Sequence, residues 1–312
     1  MVTAFAPASI GNLGVGFDML GLAIQGAGDR VSVRRVAAGG VSVAEVRGLD
    51  GELHPYLSAQ VDENTASIAA AALWNEHGDG GGVELIVRKG VPLQSGMGSS
   101  AASAVAAVVA VNALLASPLP QRELLAFAIE GEKFASKGLH ADNVAPSLIG
   151  GLVFCPAALL PETVSIHTPE GISSVLLHPE LQINTAHSRL GLARGYSIEQ
   201  WVTQQGYLGG FIAACERNDI DLMAKCLQDT IIEPQRSASV PCFDGVKHAA
   251  MSNGAIGCSL SGSGPGIFAL CKDSEAQKIA MAMEQDCRNH GYVCQSWVSP
   301  LATRGAYVED IA

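Results

Sequence analysis

The segment with the clearest chemical potential is the glycine- and serine-rich stretch 92–102, PLQSGMGSSAA. It follows a strand-like run at 83–87 and leads into an alanine-rich helix pattern at about 100–115. Gly96 and Gly98 let the backbone approach a ligand closely, and the serines stand where a helix presents free N–H groups. A strand, a glycine-rich turn and a helix N-terminus together can bind phosphate, because that end of the helix is electropositive.

This segment alone leaves a simple connecting turn as an alternative. It lacks the Gly-Lys-Ser/Thr of a Walker A loop and the Gly-x-Gly-x-x-Gly spacing of dinucleotide sites. The remainder of the chain must therefore decide between the two interpretations.

Two further polar clusters flank the phosphate-loop candidate in sequence. The first, 9–18, places three glycines between Asn12 and Asp18, and the second, 138–146, contains His140, Asp142 and Asn143. Each could be an Asx-turn or a solvated turn, for which Asn and Asp are ordinary choices. Their density favours a lining for a small polar substrate.

The elements around these clusters alternate irregularly between strand and helix. Helices are predicted at 64–77 and 121–137, the second carrying Glu132 near its end, and further helices at 197–217, 219–230, 243–253 and 274–290. Strands are predicted at 2–8, 29–34, 41–46, 152–155, 163–167, 174–177, 182–186, 292–298 and 305–308, with a strand–turn–strand at 255–271. This order favours an α+β protein. Proline and glycine become frequent after residue 155, so we place a domain boundary there, giving domains 1–160 and 161–312.

Composition excludes several classes of function. The net charge of −11 and the pI of about 5.1 argue against a nucleic-acid-binding protein. The N-terminus has no basic and apolar signal-peptide pattern, and the apolar run 101–116 is too short to span a bilayer. The eight cysteines form no Cys-x-x-Cys pair, which favours reduced thiols in the cytoplasm over disulfides or a zinc site.

Three glycine-rich clusters, at 9–18, 92–102 and 259–266, together resemble those of the GHMP kinase family, named for galactokinase, homoserine kinase, mevalonate kinase and phosphomevalonate kinase. The family motif Pro-x-x-x-Gly-Leu-Gly-Ser-Ser-Ala matches 92–101, with Met97 in place of Leu, and its C-terminal glycine-rich motif matches 259–266. The segments 14–18, 140–146 and 233–236 resemble the homoserine kinases, and the similarity covers essentially the whole chain.

This resemblance implies an N-terminal domain of the ribosomal protein S5 domain 2-like type and a ferredoxin-like C-terminal domain, with the site between them. It implies phosphorylation of L-homoserine by ATP to O-phospho-L-homoserine, a step of threonine biosynthesis, in a cytoplasmic homodimer. Neither a nucleic acid nor a membrane is implied as a partner.

The resemblance also implies roles for individual residues. The ATP phosphates would lie on the loop, and Mg²⁺ would be held by Glu132 with Ser100 or Ser99. Asp18 would bind the substrate ammonium and Arg189 and Arg236 its carboxylate, while Asn12, His140 and Asn143 would hold the hydroxyl end. The complete set of loop residues assigned to ATP is Pro92, Leu93, Gln94, Ser95, Gly96, Met97, Gly98, Ser99, Ser100, Ala101 and Ala102.

The mechanism implied is direct in-line transfer. Where mevalonate-kinase-like members have an aspartate facing the reacting hydroxyl, this chain has Asn143, which cannot accept a proton. Phosphoryl transfer through a loose transition state depends mainly on positioning and charge stabilisation. Alternatives are a GHMP kinase acting on mevalonate, shikimate or a sugar, a nucleotide-binding regulatory protein without catalysis, and a purely structural α+β protein.

Overall fold

The computed structural model describes residues 1–193 and 195–309, without the side chains of 185–187. The strands in this part of the chain are β1 (Val2–Gly11), β2 (Leu20–Val36), β3 (Gly40–Arg47), β4 (Gly82–Arg88), β5 (Leu152–Phe154), β6 (Val164–Ile166), β7 (Ile172–Pro179), β8 (Gly257–Leu260), β9 (Ile267–Lys272), β10 (Cys294–Pro300) and β11 (Tyr307–Val308). The helices are α1 (Thr65–His77), α2 (Ser99–Asn112), α3 (Leu124–Ser136), α4 (Val144–Ile149), α5 (Thr185–Leu190), α6 (Ile198–Arg217), α7 (Ile220–Cys226), α8 (Glu233–Arg236), α9 (Phe243–Ser252) and α10 (Asp273–Asn289), with short 3₁₀ turns at Val61–Glu63, Gln121–Glu123 and Ser237–Ser239.

The strands form two sheets. In the first the order is β11-β1-β2-β4-β3, with β5 and β6 joined to β2; β3 and β4 run parallel and the other pairs antiparallel. The second is antiparallel, with the order β10-β7-β9-β8. These two sheets with their helices confirm the α+β class.

The first sheet takes strands from both sides of the predicted boundary. β6 and β11 both lie beyond residue 160, yet they pair with β5 and β1. The chain therefore returns to the first sheet at its far end, and the boundary between 160 and 161 stays a prediction.

Helix α2 lies at the centre of the first core. Its sequence is almost entirely alanine and valine, and every residue from Ala101 to Val111 is buried. Small side chains let α1 and α3 pack closely on either side, while the sheet covers a third face. A second cluster, which includes Ile10, Leu176 and Phe268, joins strands of both sheets.

Local signals in the sequence explain where several helices begin and end. The Asn64 side chain accepts a hydrogen bond from Ala66 N at 3.0 Å and caps α1, which ends at Gly78. Ser197 and Gln200 form a capping box at the start of α6, so the predicted helix at 197–217 is correct.

Two of the predicted elements are wrong. The segment 182–186 is not a strand: Ile183 N donates to the Gln94 carbonyl in the phosphate loop, and α5 begins at Thr185. The helix predicted at 219–230 ends at Cys226, because Asp229 accepts backbone N–H groups of Ile231, Ile232 and Glu233 and so begins a new turn.

The described residues contain no helix of the length and apolarity needed to cross a membrane. All eight cysteines lie in this part of the chain as free thiols, and seven of them are buried. Cys294 is partly exposed, and the reduced state of the thiols stays a prediction.

Gly21 on β2 packs directly against the backbone of the second polar cluster, 138–146. A Cβ atom there would lie 1.7 Å from the Asp142 carbonyl oxygen, so we expect Gly21→Ala to displace residues 140–143 and to destabilise the fold by on the order of 2 kcal/mol or more. Urea denaturation measures the change. Gly209→Ala is the matched control, because nothing lies within 4 Å of that position on α6; it should be neutral or slightly stabilising. Equal stabilities of the two variants would contradict this account.

Candidate active site

A cleft of about 360 Å³ lies where the two sheets meet, and every polar cluster named from the sequence contributes to it. Its lining comes from the loop after β1, the loop before α2, the end of α3 and the segment before α4. α5, α8 and the turn between β8 and β9 also contribute to it. Site residues in its lining are Asn12, Asp18, Ser99, Ser100, Glu132, His140, Asp142, Asn143, Arg189, Arg236 and Gly262.

The phosphate-loop candidate is held by backbone contacts on both sides. Gly98 is the N-cap of α2 with φ +67°, a left-handed conformation that a side chain would strain. Ser9 N donates to the Met97 carbonyl at 3.0 Å, and Ser261 Oγ donates to the Gly96 carbonyl at 2.6 Å. The first and last glycine-rich clusters thus support the middle one.

Seven of the eleven loop residues assigned to ATP line the cleft: Leu93, Gln94, Ser95, Gly96, Gly98, Ser99 and Ser100. The side chains of Met97, Ala101 and Ala102 are fully buried in the core, and Pro92 lies before the cleft-lining residues. A direct part of these four residues in ATP binding stays a prediction.

Ser100 and Glu132, which are predicted to hold Mg²⁺, are in direct contact. Ser100 Oγ donates to Glu132 Oε2 at 2.7 Å across the cleft side of α2 and α3. Burial raises the pKa of Glu132 to about 7, although the bond from Ser100 opposes the shift, and the charge of Asp142 adds to it. A buried carboxylate beside a hydroxyl is a hard-oxygen pair of the kind that Mg²⁺ prefers, so the residues fit the ion. The described residues contain no group of three or more His, Cys, Asp or Glu side chains that could hold a metal ion.

The Ser99 hydroxyl, unlike that of Ser100, is bonded to the protein backbone. Its hydroxyl donates to the Val91 carbonyl at 3.0 Å and is buried. Of the two serines considered for the metal, Ser100 is therefore the one whose hydroxyl faces Glu132.

The charged residues predicted for the substrate lie together around one aromatic ring. Arg189 and Arg236 place their guanidinium carbons 5.2 and 5.1 Å from the centre of the Phe17 ring. Arg189 binds both carboxylate oxygens of Asp18, at 2.9 and 2.7 Å, and this bond raises the pKa of Arg189. Two cations side by side make a receptor for a carboxylate.

Arg236 and His140 complete this group. Arg236 is 4% exposed, donates to the Gly262 carbonyl at 2.9 Å, and has its pKa lowered by burial. His140 Nδ1 lies 3.5 Å from Asp18 Oδ2, and burial lowers the pKa of the ring although the charge of Asp18 opposes the shift.

Asn12 has a positioning role within the protein. Its amide nitrogen donates to the Gly262 carbonyl at 2.9 Å, and its amide oxygen accepts from Asp18 N at 3.0 Å. Asn12 and Asp18 both adopt left-handed backbone conformations, with φ +66° and +57°. Such conformations in neighbouring site residues are typical of functional loops held by their surroundings.

Asn143 has one end of its amide fixed. Ser9 Oγ donates to Asn143 Oδ1 at 2.9 Å, so the amide nitrogen is the end left to donate. That nitrogen and Asp142 Oδ2 lie 2.7 and 2.8 Å from the point where a Cβ of Gly11 would stand. The two polar groups therefore occupy the space that a side chain at position 11 would fill.

Among the residues at the site that were not assigned a role from the sequence are Ser9, Phe17 and Asp142. Asp142 is 4% exposed and accepts a hydrogen bond from Asn12 N at 3.2 Å. Burial and the nearby charge of Asp18 raise its pKa to about 7. The sequence placed Asp142 within a polar cluster, but only the fold shows that its carboxyl is buried beside Asn143.

Comparison with known proteins gives the same assignment as the motifs. Residues 64–151 match the family model of the GHMP kinases N-terminal domain, and residues 211–289 match that of the GHMP kinases C-terminal. Homoserine kinase of Xylella fastidiosa (strain M12) is 39% identical over 304 residues, which cover 97% of this chain and 92% of that protein. The chain belongs to the homoserine kinase group of the GHMP kinase family. Homoserine kinase of Chlorobium phaeobacteroides (strain BS1) is also 39% identical and is covered to 99% of its length.

Solved structures of this GHMP family share the fold. A crystal structure of homoserine kinase from Cytophaga hutchinsonii superposes with a TM-score of 0.93 at 39% identity, covering 99% of this chain and 97% of that one. Galactokinase of Lactococcus lactis, at 14% identity, matches with a TM-score of 0.70 and so shares the fold alone. The predicted two-domain GHMP fold is confirmed, and the chain is a kinase.

The buried carboxyl of Asp142 makes stability depend on pH. Its folded-state pKa of about 7 lies above the ordinary 3.8, so the folded chain binds this proton more tightly than the unfolded chain. The penalty is absent below about pH 4, grows as the pH rises, and is complete above pH 7, where it is on the order of 4 kcal/mol. We expect Asp142→Asn to raise the melting temperature by several degrees at pH 8, and by little at pH 4, without substrates.

The control for that measurement is Asp79→Asn. Asp79 is exposed and bonded to Arg35, which lowers its pKa, so removing its charge should give no gain at pH 8. A lower melting temperature of Asp142→Asn at pH 8 than of the wild type would contradict the predicted sign.

Proposed function

We propose that the chain transfers the γ-phosphoryl group of ATP to the side-chain hydroxyl of L-homoserine and so forms O-phospho-L-homoserine. The observation that carries this proposal is the joining, in one cleft, of a glycine-rich phosphate loop with a paired set of cations and anions. The loop suits a triphosphate, and the charged set suits an amino-acid zwitterion. The full-length similarity to homoserine kinases supports the same substrate.

The nucleotide end is formed by the start of α2. Free N–H groups of its first turn, with Ser95 and Ser100, would receive the phosphates. Ser100 and Glu132 would hold Mg²⁺, which when bound neutralises charge on the transferring phosphate oxygens.

The substrate end is formed by the charges around Phe17. Arg236 and Arg189 would bind the carboxylate, as the resemblance implies, and Arg189 would then give up at least part of its pairing with Asp18. Both oxygens of Asp18 already accept from Arg189, whereas Asp142 accepts from a backbone N–H and carries a raised pKa. A substrate ammonium would favour the charged form of Asp142, so we assign the ammonium to Asp142 together with Asp18.

The hydroxyl end is formed by Asn143. Because its oxygen accepts from Ser9, its Nδ2–H group is available to orient the substrate hydroxyl towards the loop. In-line attack on the γ-phosphorus then needs alignment more than a strong base, and the hydroxyl proton passes to a phosphoryl oxygen in the transfer. Asn12 and His140 support this arrangement through Asp18.

The homodimer, the cytoplasmic location and the pathway to threonine follow from the resemblance and stay predictions here. The other candidate, a GHMP kinase for mevalonate, shikimate or a sugar, is disfavoured because those substrates carry no ammonium to match Asp142 and Asp18.

ADP release with Mg-ATP against a substrate panel tests the proposed function. We expect turnover with L-homoserine and at least 100-fold lower kcat/KM with 4-hydroxybutanoate, which lacks the ammonium, and with 3-aminopropan-1-ol, which lacks the carboxylate, because each leaves buried charges unpaired. L-threonine, mevalonate, shikimate and galactose complete the panel. Silence with homoserine and turnover of another alcohol would overturn the proposal.

Asn143→Ala tests the role of the amide. Removing one donor that orients the reacting hydroxyl should lower kcat by on the order of 10²-fold, with a smaller effect on the KM for ATP. Asn112→Ala, which loses contacts to Leu119 away from the cleft, is the control for loss of a partly buried asparagine. A near wild-type kcat for Asn143→Ala would show that the amide does not act in the transfer.

A further inference from the structure

A buried ion pair lies beside the phosphate loop, and its lysine contributes to the lining of the cleft. Lys89 follows β4, and its ammonium binds the carboxylate of Asp29 on β2; the two side chains are 5% and 0% exposed. Lys89 Nζ also donates to the Ser99 carbonyl at 2.8 Å and to Ser103 Oγ at 2.7 Å. Its three N–H groups therefore each have an acceptor within the protein.

Asp29 is the centre of this network. Its Oδ1 accepts from Gly90 N at 2.8 Å and Val91 N at 3.1 Å, and its Oδ2 accepts from Ser103 Oγ at 2.5 Å and from Lys89. A carboxylate that accepts this many hydrogen bonds is held in one orientation.

The network joins the two ends of the phosphate loop. Gly90 and Val91 are the residues from which the chain leaves β4, and Ser99 and Ser103 belong to the first turns of α2. Ser99 Oγ adds a direct bond to the Val91 carbonyl at 3.0 Å. Asp29 thus fixes the distance between the entry of the loop and the helix N-terminus that follows it.

Stability alone is a weak reason for such a pair. Replacing a buried ion pair by apolar side chains of similar volume is often neutral or stabilising, because both charges lose their hydration on burial. A charged network in which every group is hydrogen-bonded holds its residues in a single geometry. Lys89 and Ser103 belong to the lining of the cleft but Asp29 does not, so an effect of Asp29 on a ligand must act through the residues that it holds.

We propose that Asp29 is a positioning residue for nucleotide binding: with Lys89 and Ser103 it sets the phosphate loop in the shape that receives the triphosphate. The proposal rests on the proposed function, in which this loop binds ATP. It also states that Lys89 is engaged in holding the loop and is not a free cation for the phosphates.

Asp29→Asn is the principal test. The variant keeps an oxygen for the amides of residues 90 and 91 but loses the charge that holds Lys89 and Ser103. We expect the Kd for Mg-ADP by calorimetric titration, and the KM for ATP, to rise by about tenfold or more, while the KM for homoserine changes less than threefold. Unchanged or tighter Mg-ADP binding would overturn the proposal, because a Lys89 released towards the phosphates would strengthen binding.

Ser103→Ala tests the same network if Asp29→Asn does not fold. It removes one hydroxyl that bonds both charged groups, and we expect a Kd for Mg-ADP about threefold or more above the wild type. The matched control is Ser174→Ala, a buried serine of the second sheet that donates to the Ser299 carbonyl at 3.3 Å. It should lower the melting temperature without changing the Kd. If Ser103→Ala lowers the melting temperature alone, the network is merely structural.

Wild-type assays separate the two proposals. Absence of homoserine turnover in the wild type would contradict the proposed substrate, whereas the Mg-ADP titrations still test Asp29. Absence of Mg-ADP binding by the wild type would contradict both.

Discussion

The first turn of helix α2 lies inside the molecule, and its N–H groups have no partners within the helix itself. Burying such a helix end requires a neighbouring segment that supplies acceptors or a ligand that supplies them. Here Gly98 brings the chain into the helix in a left-handed conformation, and the Asp29 carboxylate anchors the chain just ahead of the loop. The glycine-rich loop, the small side chains of α2 and the buried ion pair are all consequences of placing this helix end beside a cleft.

The end of the cleft where we propose that the substrate binds holds charged side chains of both signs. Around the ring of Phe17 lie two guanidinium groups and the Asp18 carboxylate, and the buried carboxyl of Asp142 lies close by. Burial lowers the pKa of Arg236 and raises that of Asp142, so each group is held at a cost to its charged form. A ligand with both an ammonium and a carboxylate reduces that cost on both sides at once, which is a physical basis for selecting an amino acid over a neutral alcohol.

Much of the local structure could be read from the sequence because its causes are local. Asn64 and Gly78 bound α1, and Ser197 and Gln200 cap α6, through side-chain or backbone groups within one turn of the helix end. The segment 182–186 was predicted as a strand and is not one, since its partner is the carbonyl of Gln94 in a distant loop. The long strand β2 extends well beyond the predicted 29–34, because a bulged, glycine-containing strand loses its period-two pattern.

For the site, the sequence by itself determined a glycine-rich loop at 92–102 and two polar clusters, while the predicted magnesium pair and amino-acid pocket came from the family resemblance. The loop can be identified from sequence because it depends on residue type and on spacing along one short segment. Only the tertiary structure decided which groups face one another. It brought Ser100 to Glu132, paired Arg189 with Asp18, and buried Asp142 and Asp29. Those outcomes depend on burial and on contacts between residues far apart in the chain, and neither is encoded in local spacing.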